Sequence, residues 1–532
     1  MQEHSDSTLA GIVASYAVSA PEREAIIFEG GDTRPDDVLT YGDLWRNAQR
    51  LAVGLKRLGT RPGDYIGVLM ANHAEFVELM VAAGIVGAVF VPIDPRTKGS
   101  RLAYVLQSAG CAGVLAADYT LPALMTIRSQ LPRLQWIVGL ETDEATDSID
   151  AHAEVISYRS ICTEHSDLPI AVVDPSTAME LIYTSGTTGD PKGIVMTHRR
   201  YCDTSSAALR LFGYKEDDTL YTGLSLTHAN AQIITLGAAL SGGLRCVISR
   251  RFTKKRLWAI TRKYGCTTFT LLGGMTAALY AEPPQADDAV NPVRFVVSAG
   301  MPAAIWHQFE HRFRLRVLEF YGAAEGGLAV KPIGEGPIGS IGKPAPSFMH
   351  RIVDASGHDV PPGTPGELLL RHADSSPFRV EYHGMPEAST KKCAGGWLHM
   401  GDIVHEDAQG WLFFHHRLGS AIRRNGEFID PTVVEKAVAE SGLVDDVYVY
   451  GIAIETSAPG EREIVVAIVP KSGADHDAAR VLAACRQKLP PSHVPAFIQT
   501  LQEIPKTASE KPQDRFLVEA FHNDPRSIYS AG

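Results

Sequence analysis

The sequence predicts an α/β protein: a large N-terminal domain of helix-covered, mostly parallel sheets plus a small β-barrel, followed by a small α+β C-terminal domain. Three observations predict it. At 532 residues the chain exceeds what one hydrophobic core serves, so several domain-sized units are expected. Short apolar runs alternate repeatedly with helix-spaced apolar residues, the mark of a parallel sheet covered by helices. The texture then changes around Ser340 to dense Gly/Pro turns, and again beyond Arg417 to a compact mixture of strands and helices.

The clearest unit is "YIGVLMANHAEFVELMVAAGIVGAVFVPID", Tyr65 to Asp94, which reads as strand, helix and strand. The same alternation recurs at "CAGVLAAD", at "RCVISR", and from "CTTFTLLGGMTAALY" to "VRFVVSAG". In such sheets ligands sit at the carboxyl ends of the strands. From about 338 to 416, "SIGKPAPSFMHRIVDASGHDVPPGTPGELLLRH" and its continuation read as short strands of an antiparallel sheet or small barrel. The expected division is therefore 1–417 and 418–532, with the hinge at Arg417–Ser420.

Bulk properties exclude several functions. A net charge of −11 argues against a nucleic-acid partner, and the strongest basic run, Arg250 to Arg256, reads as a solvated helix start. The most apolar stretch, Leu79 to Ile93, is too short to span a bilayer, and the start of the chain has no signal-peptide pattern. Seven scattered cysteines without a CxxC pair suggest reduced thiols and a cytoplasmic setting.

The chemistry begins at "YTSGTTGDPKG", Tyr183 to Gly193. Hydroxyls, bare backbone N–H groups and one cation, Lys192, are what a phosphate chain requires, and glycine allows the close approach. The Walker A loop is excluded, because Asp190 and Pro191 separate Gly189 from Lys192 and Gly193 follows it. A plain solvated turn is the competing reading. Further stretches hold a polar group beside turn residues: "FYGAAEGG" presents Glu325, "GWLHMGDIV" presents Asp402 in a Gly-Asp turn, "HHRLGSAIRRNGEFIDP" presents Arg417, and "IPKTASEKPQDR" presents Lys506 and Lys511. Each alone is ordinary.

Together, in this order from "LTYGDL" to "KTASEKPQDR", they resemble the adenylate-forming superfamily of acyl-CoA synthetases, carrier-protein adenylation domains and luciferases. "SLTHANAQ" and "EKPQ" look most like the branch making CoA thioesters of carnitine-like, bile-acid-like and other medium or alicyclic acids. The resemblance implies an acid–thiol ligase that uses ATP, Mg²⁺ and coenzyme A, first forming acyl-AMP and then a thioester. It implies that Thr184, Ser185, Gly186, Thr187, Thr188, Gly189 and Lys192 cradle the phosphates and that Glu325 holds Mg²⁺. Asp402 takes the ribose hydroxyls with Arg417 beside it. Adenine lies against Gly300, Met301 and Pro302 and the run Glu319, Phe320, Tyr321, Gly322, Ala323, Ala324, with Glu319 accepting from the adenine amino group. A mobile C-terminal domain brings in Lys511 as the catalytic cation. His228 is the gate between acyl pocket and thiol tunnel, with a core histidine as the plain alternative. Asn425 and Gly426 flank the pantetheine, and Gly273, Gly274, Met275, Ala299 and Gly300 line the acyl pocket. Gly273, Gly274, Ala299 and Gly300 are small and suit a bulky, mainly apolar acid, alicyclic, polycyclic or aryl. The basic run at Arg250 could meet the CoA 3′-phosphate.

Three departures stand out. Ala324 occupies the place of a threonine whose hydroxyl contacts the phosphates; Gly419 stands at the hinge where Asp or Lys is usual; and Asn425 replaces the first of two glycines. Removing one such donor costs about two to three decades of rate. Adenylation is then slow or absent while thioesterification of acyl-AMP survives, with a partner enzyme supplying the adenylate, unless water or Thr187 and Thr188 cover the loss. Loading of a carrier protein and non-catalytic adenylate binding are the competing functions.

Overall fold

The computed structural model describes residues 7–530 except 32–33, 145–148, 150–151, 164–166, 173, 185–189, 419–421, 425–426, 430, 455–460, 472–477 and 507–511. Two large sheets dominate the first part of the chain. In the nine-stranded sheet, strands Glu24–Glu29, Arg245–Ser249, Thr219–Thr222, Thr268–Leu272, Phe295–Ala299 and Arg316–Ala323 lie side by side and parallel. The chain then doubles back through Gly326–Lys331 and Lys343–Pro344. The seven-stranded sheet is parallel from Val155–Ser157 across to Ala178–Tyr183, and only its edge strand, Gly193–Thr197, is antiparallel.

The strand–helix–strand unit expected over Tyr65–Asp94 forms as Tyr65–Leu69, helix Ala74–Val86 and Val89–Ile93, with the two strands in unbroken parallel register. That helix is buried along its length apart from Glu75, because it shares a core with side chains of both sheets. A helix apolar on every face is stable only when covered on every face.

Beyond Ser340 the strands Phe348–Val353, Gly366–His372, Leu398–Glu406 and Leu412–Arg417 pair antiparallel in chain order. Of the two forms the turn-dense segment allows, this is the open sheet, around a core of its own that also takes in Ile194 and Phe378. The chain after Arg417 builds a separate small unit. Helix Pro431–Ala439 packs on the sheet Val444–Ile452, Glu463–Pro470, Phe497–Thr500 and Ile528–Ser530, with its own buried cluster.

All seven cysteines are free thiols, and five are buried. Among the described residues no helix is long and apolar enough to cross a membrane. The basic run is less solvated than its composition suggests. Arg250 and Arg251 pair with Glu144 at 3.1 and 2.9 Å, Lys254 with Glu282 at 2.7 Å and Arg256 with Glu29 at 2.8 Å. The helix it precedes begins at Leu257.

Candidate active site

The stem of the proposed phosphate loop is a hairpin between the strands Ala178–Tyr183 and Gly193–Thr197, closed by Thr184 N–H donating to the Lys192 carbonyl at 3.0 Å. Ser185, Gly186, Thr187, Thr188 and Gly189 lie outside the described residues. The edge strand does not end the sheet on its outer side. Val195 N–H donates to Glu381 O at 2.9 Å and His383 N–H to Gly193 O at 2.8 Å. This places Tyr382 against the stem, where the Lys192 ammonium lies 5.2 Å from its ring centre.

The Tyr382 hydroxyl donates to Glu325 Oε1 at 2.8 Å. Glu325 sits in the reversal between Arg316–Ala323 and Gly326–Lys331, 7% exposed. Gly326 makes that reversal possible: its φ is +127°, and a Cβ there would lie 2.5 Å from the Phe378 ring. Burial is the largest influence on the Glu325 carboxyl and pulls its pKa upward. The charge of Lys392, the Tyr382 hydroxyl and Arg417 outweigh burial and hold it below the ordinary carboxylate range. The carbonyl just before it, Ala324 O, accepts from the Arg200 guanidinium at 2.5 Å. A buried carboxylate kept ionised fits Mg²⁺, which binds through one or two carboxylates together with substrate phosphates.

Asp402 is 8% exposed and lies inside the strand Leu398–Glu406, not in the turn its Gly-Asp dipeptide suggests. Gly401, at φ +74°, gives the strand a local kink at that point. The strand register sets Asp402 opposite Arg417, whose Nε lies 3.6 Å from Asp402 Oδ1. The Tyr321 hydroxyl donates to Asp402 Oδ2. Burial and the Asp402 charge push that phenol well above its usual range, so it stays a donor. A carboxylate with one oxygen toward an arginine and the other toward a phenol is oriented to accept from a vicinal diol.

Glu319 is placed differently from the expectation. Its Oε1 accepts from Gly300 N–H at 2.5 Å and its Oε2 from Met301 N–H at 3.0 Å, so both oxygens hold the Ser298–Pro302 loop. Contact with an adenine amino group is left to the remaining lone pairs. Burial, opposed by these bonds, pushes Glu319 up to about 8. Phe320 faces the other way, its ring 5.4 Å from Phe212 in the core, so its side chain is no wall of the site. Gly300 adopts φ +95°, and a Cβ on Gly273 would come within 2.2 Å of Gly300 O. The two backbones touch where the acyl pocket is expected, with Ala299 half-buried and Met275 buried beside them. Gly274 has no atom within 4 Å of where its Cβ would stand.

His228 precedes a π-helical stretch, Asn230–Gly237, an uncommon form that recurs at functional sites. Its Nδ1 accepts from Asn230 N–H at 3.2 Å and its carbonyl from Gln232 N–H at 3.1 Å. Lys511, Asn425, Gly426, Gly419 and Glu510 lie outside the described residues.

Sequence reasoning missed four residues that the fold brings to this region. Tyr382 and Arg200 bind the Glu325 reversal directly. Lys392, at the end of helix Pro386–Lys392, donates to Met400 O at 3.3 Å, two residues before Asp402. Glu180 is fully buried on the strand leading into the phosphate loop, beside Gln232 and within range of the Arg200 charge. Burial pushes it up to about 8.

Residues 14–376 match the family of AMP-binding enzymes and residues 433–511 the AMP-binding enzyme C-terminal domain. The medium/long-chain-fatty-acid–CoA ligase FadD17 of Mycobacterium marinum is 29% identical over 487 residues, covering 91% of this chain and 92% of that protein. The crotonobetaine/carnitine–CoA ligase of Salmonella typhimurium is 26% identical over 499 residues, covering 92% and 95%. The crystal structure of the anthranilate CoA ligase AuaEII with anthranoyl-AMP superposes with a TM-score of 0.83 at 23% identity, covering 98% of each chain. That last likeness is one of fold.

Proposed function

The chain belongs to the AMP-binding enzyme family, and from that premise we propose that it is an acyl-CoA ligase acting through an acyl-AMP intermediate. The observation that carries the reading is two buried carboxylates that both stand within range of the Arg417 and Lys392 charges. Glu325 is held ionised beside the phosphate-loop stem, and Asp402 is braced by Tyr321 and Arg417. The relatives named as CoA ligases supply the choice of acceptor thiol.

In the first half-reaction a carboxylate oxygen of the acid bonds to the α-phosphorus of ATP while the bond to pyrophosphate breaks. Residues Thr184 to Gly189 and Lys192 orient the β- and γ-phosphates, and Asp402 fixes the ribose. Lys511, on the C-terminal unit that begins near residue 418, faces the charge that develops between acid and phosphate. Such transfers depend mainly on positioning and charge neutralisation. Mg²⁺, held by Glu325, supplies further neutralisation when bound. In the second half-reaction the CoA sulfur bonds to the acyl carbon, its proton passes to solvent, and AMP leaves with the electron pair. His228 separates the acid from the thiol path, and Asn425 and Gly426 border that path.

The acid is bulky and mainly apolar. The open space at Gly274, where a Cβ would meet nothing within 4 Å, supports this. Ala324 leaves the cradle one hydroxyl short, which slows adenylation and leaves thioesterification of acyl-AMP the faster half. A panel of free acids with ATP, and of their acyl-AMPs without it, each with CoA, tests the whole reading. Thioester should form from both, faster from acyl-AMP. Thioester from neither rejects the ligase, and transfer only to a carrier-protein thiol replaces CoA as acceptor.

A further inference from the structure

We propose that Lys392 is a nucleotide-binding residue whose ammonium contacts the α-phosphate shared by ATP, acyl-AMP and AMP. The inference rests on the adenylate-forming reading and adds to it a contact that no motif carries. Lysine at the end of a helix ordinarily turns back onto the last carbonyls of that helix or stays in solvent. Lys391 does the second and is exposed. Lys392 does neither. It is partly buried, and its nitrogen crosses to Met400 O on the strand that bears Asp402.

An ammonium has three donors, and among the described residues this one uses a single donor, on a neutral carbonyl. No described carboxylate is in ion-pair contact with it, yet Glu325 and Asp402 both stand within range of its charge, together with Arg417 and Glu367. A partly buried cation whose carboxylate neighbours stand beyond ion-pair contact keeps donors free for a bound anion, which offsets part of the cost of its burial. The site fixes which anion. Asp402 marks the ribose end of the nucleotide and Glu325 the metal-bearing phosphate end, and the α-phosphate lies between those two groups in any bound adenylate. Lys392 therefore adds a positive charge within range of Glu325, the residue that follows Ala324 and its missing hydroxyl.

The test compares AMP with adenosine, which differ only by that phosphate. The full chain, its Lys392→Met variant and its Lys392→Arg variant are each titrated calorimetrically with both ligands, without metal. One charge-assisted hydrogen bond corresponds to about ten- to a hundred-fold in affinity. Lys392→Met should lose that much for AMP while adenosine affinity changes by less than about two-fold, and Lys392→Arg should retain most AMP affinity. Equal losses for both ligands in Lys392→Met would show a structural role and overturn the proposal, and so would unchanged AMP affinity. A wild-type chain that binds neither ligand would refute the nucleotide reading itself, a result distinct from either.

Discussion

Replacing Glu180 by Gln should change how stability depends on pH. Glu180 is fully buried, and burial raises its pKa from 4.5 to about 8, opposed by the Gln232 amide and the Arg200 charge. A carboxyl whose folded pKa lies above its unfolded value favours folding fully only below the unfolded value, and the benefit is lost as pH rises through the folded one. Each intervening pH unit is worth about 1.4 kcal/mol, so between pH 5 and pH 8 the wild type should lose on the order of 4 kcal/mol that Glu180→Gln does not lose. At pH 5 the variant should be slightly the less stable, because a buried amide without partners costs roughly 1–3 kcal/mol. The two melting curves against pH should therefore cross, with a relative shift of a few degrees by pH 8. Differential scanning fluorimetry across pH 5 to 9 measures it. Parallel curves would refute the argument, as would a wild type that gains on the variant above pH 7.

Three further outcomes are expected. Ala324→Thr should raise ATP–pyrophosphate exchange about ten-fold or more while leaving thioesterification of synthetic acyl-AMP unchanged; equal exchange rates would show that the hydroxyl is not limiting. Glu325→Gln should weaken Mg²⁺-dependent ATP binding about ten-fold while AMP binding without metal stays within two-fold, which titrations with and without the ion would distinguish. Gly274→Leu places a side chain in open space and should fold normally. Its KM for bulky acids should rise about ten-fold relative to small ones, and an unchanged ratio would move the acyl pocket elsewhere.

The parallel sheets were legible because their signal is local. Tyr65 to Asp94 carries a strand, a helix and a strand in one continuous run, and the fold realises them in register. Glu325, Asp402 and Arg417 were legible through motifs, and the structure brings Arg417 to 3.6 Å from Asp402 and within charge range of Glu325. Asp402 was misplaced because Gly401 adopts a turn-like φ inside a strand, and the dipeptide alone does not distinguish the two. The hold of Glu319 on the Gly300 and Met301 amides was not legible, because that loop lies nearly twenty residues earlier. Arg200, Lys392, Tyr382 and Glu180 were illegible for a related reason. Each lies in an unremarkable helix turn, strand or loop with no motif around it; Arg200 gains its meaning from Ala324, 124 residues away, and Tyr382 from Glu325, 57 residues away.

The hairpin at Tyr183 and Gly193 has a consequence for engineering. Its edge strand is laced on one side to its own sheet and on the other to Glu381 and His383, so both anchoring points of the loop are fixed by bonds outside the loop. Positions 185–189 can therefore be randomised in a library without asking the new sequences to nucleate their own support. Catalysts selected for altered triphosphate donors should diverge in that tip while the anchoring strands stay untouched.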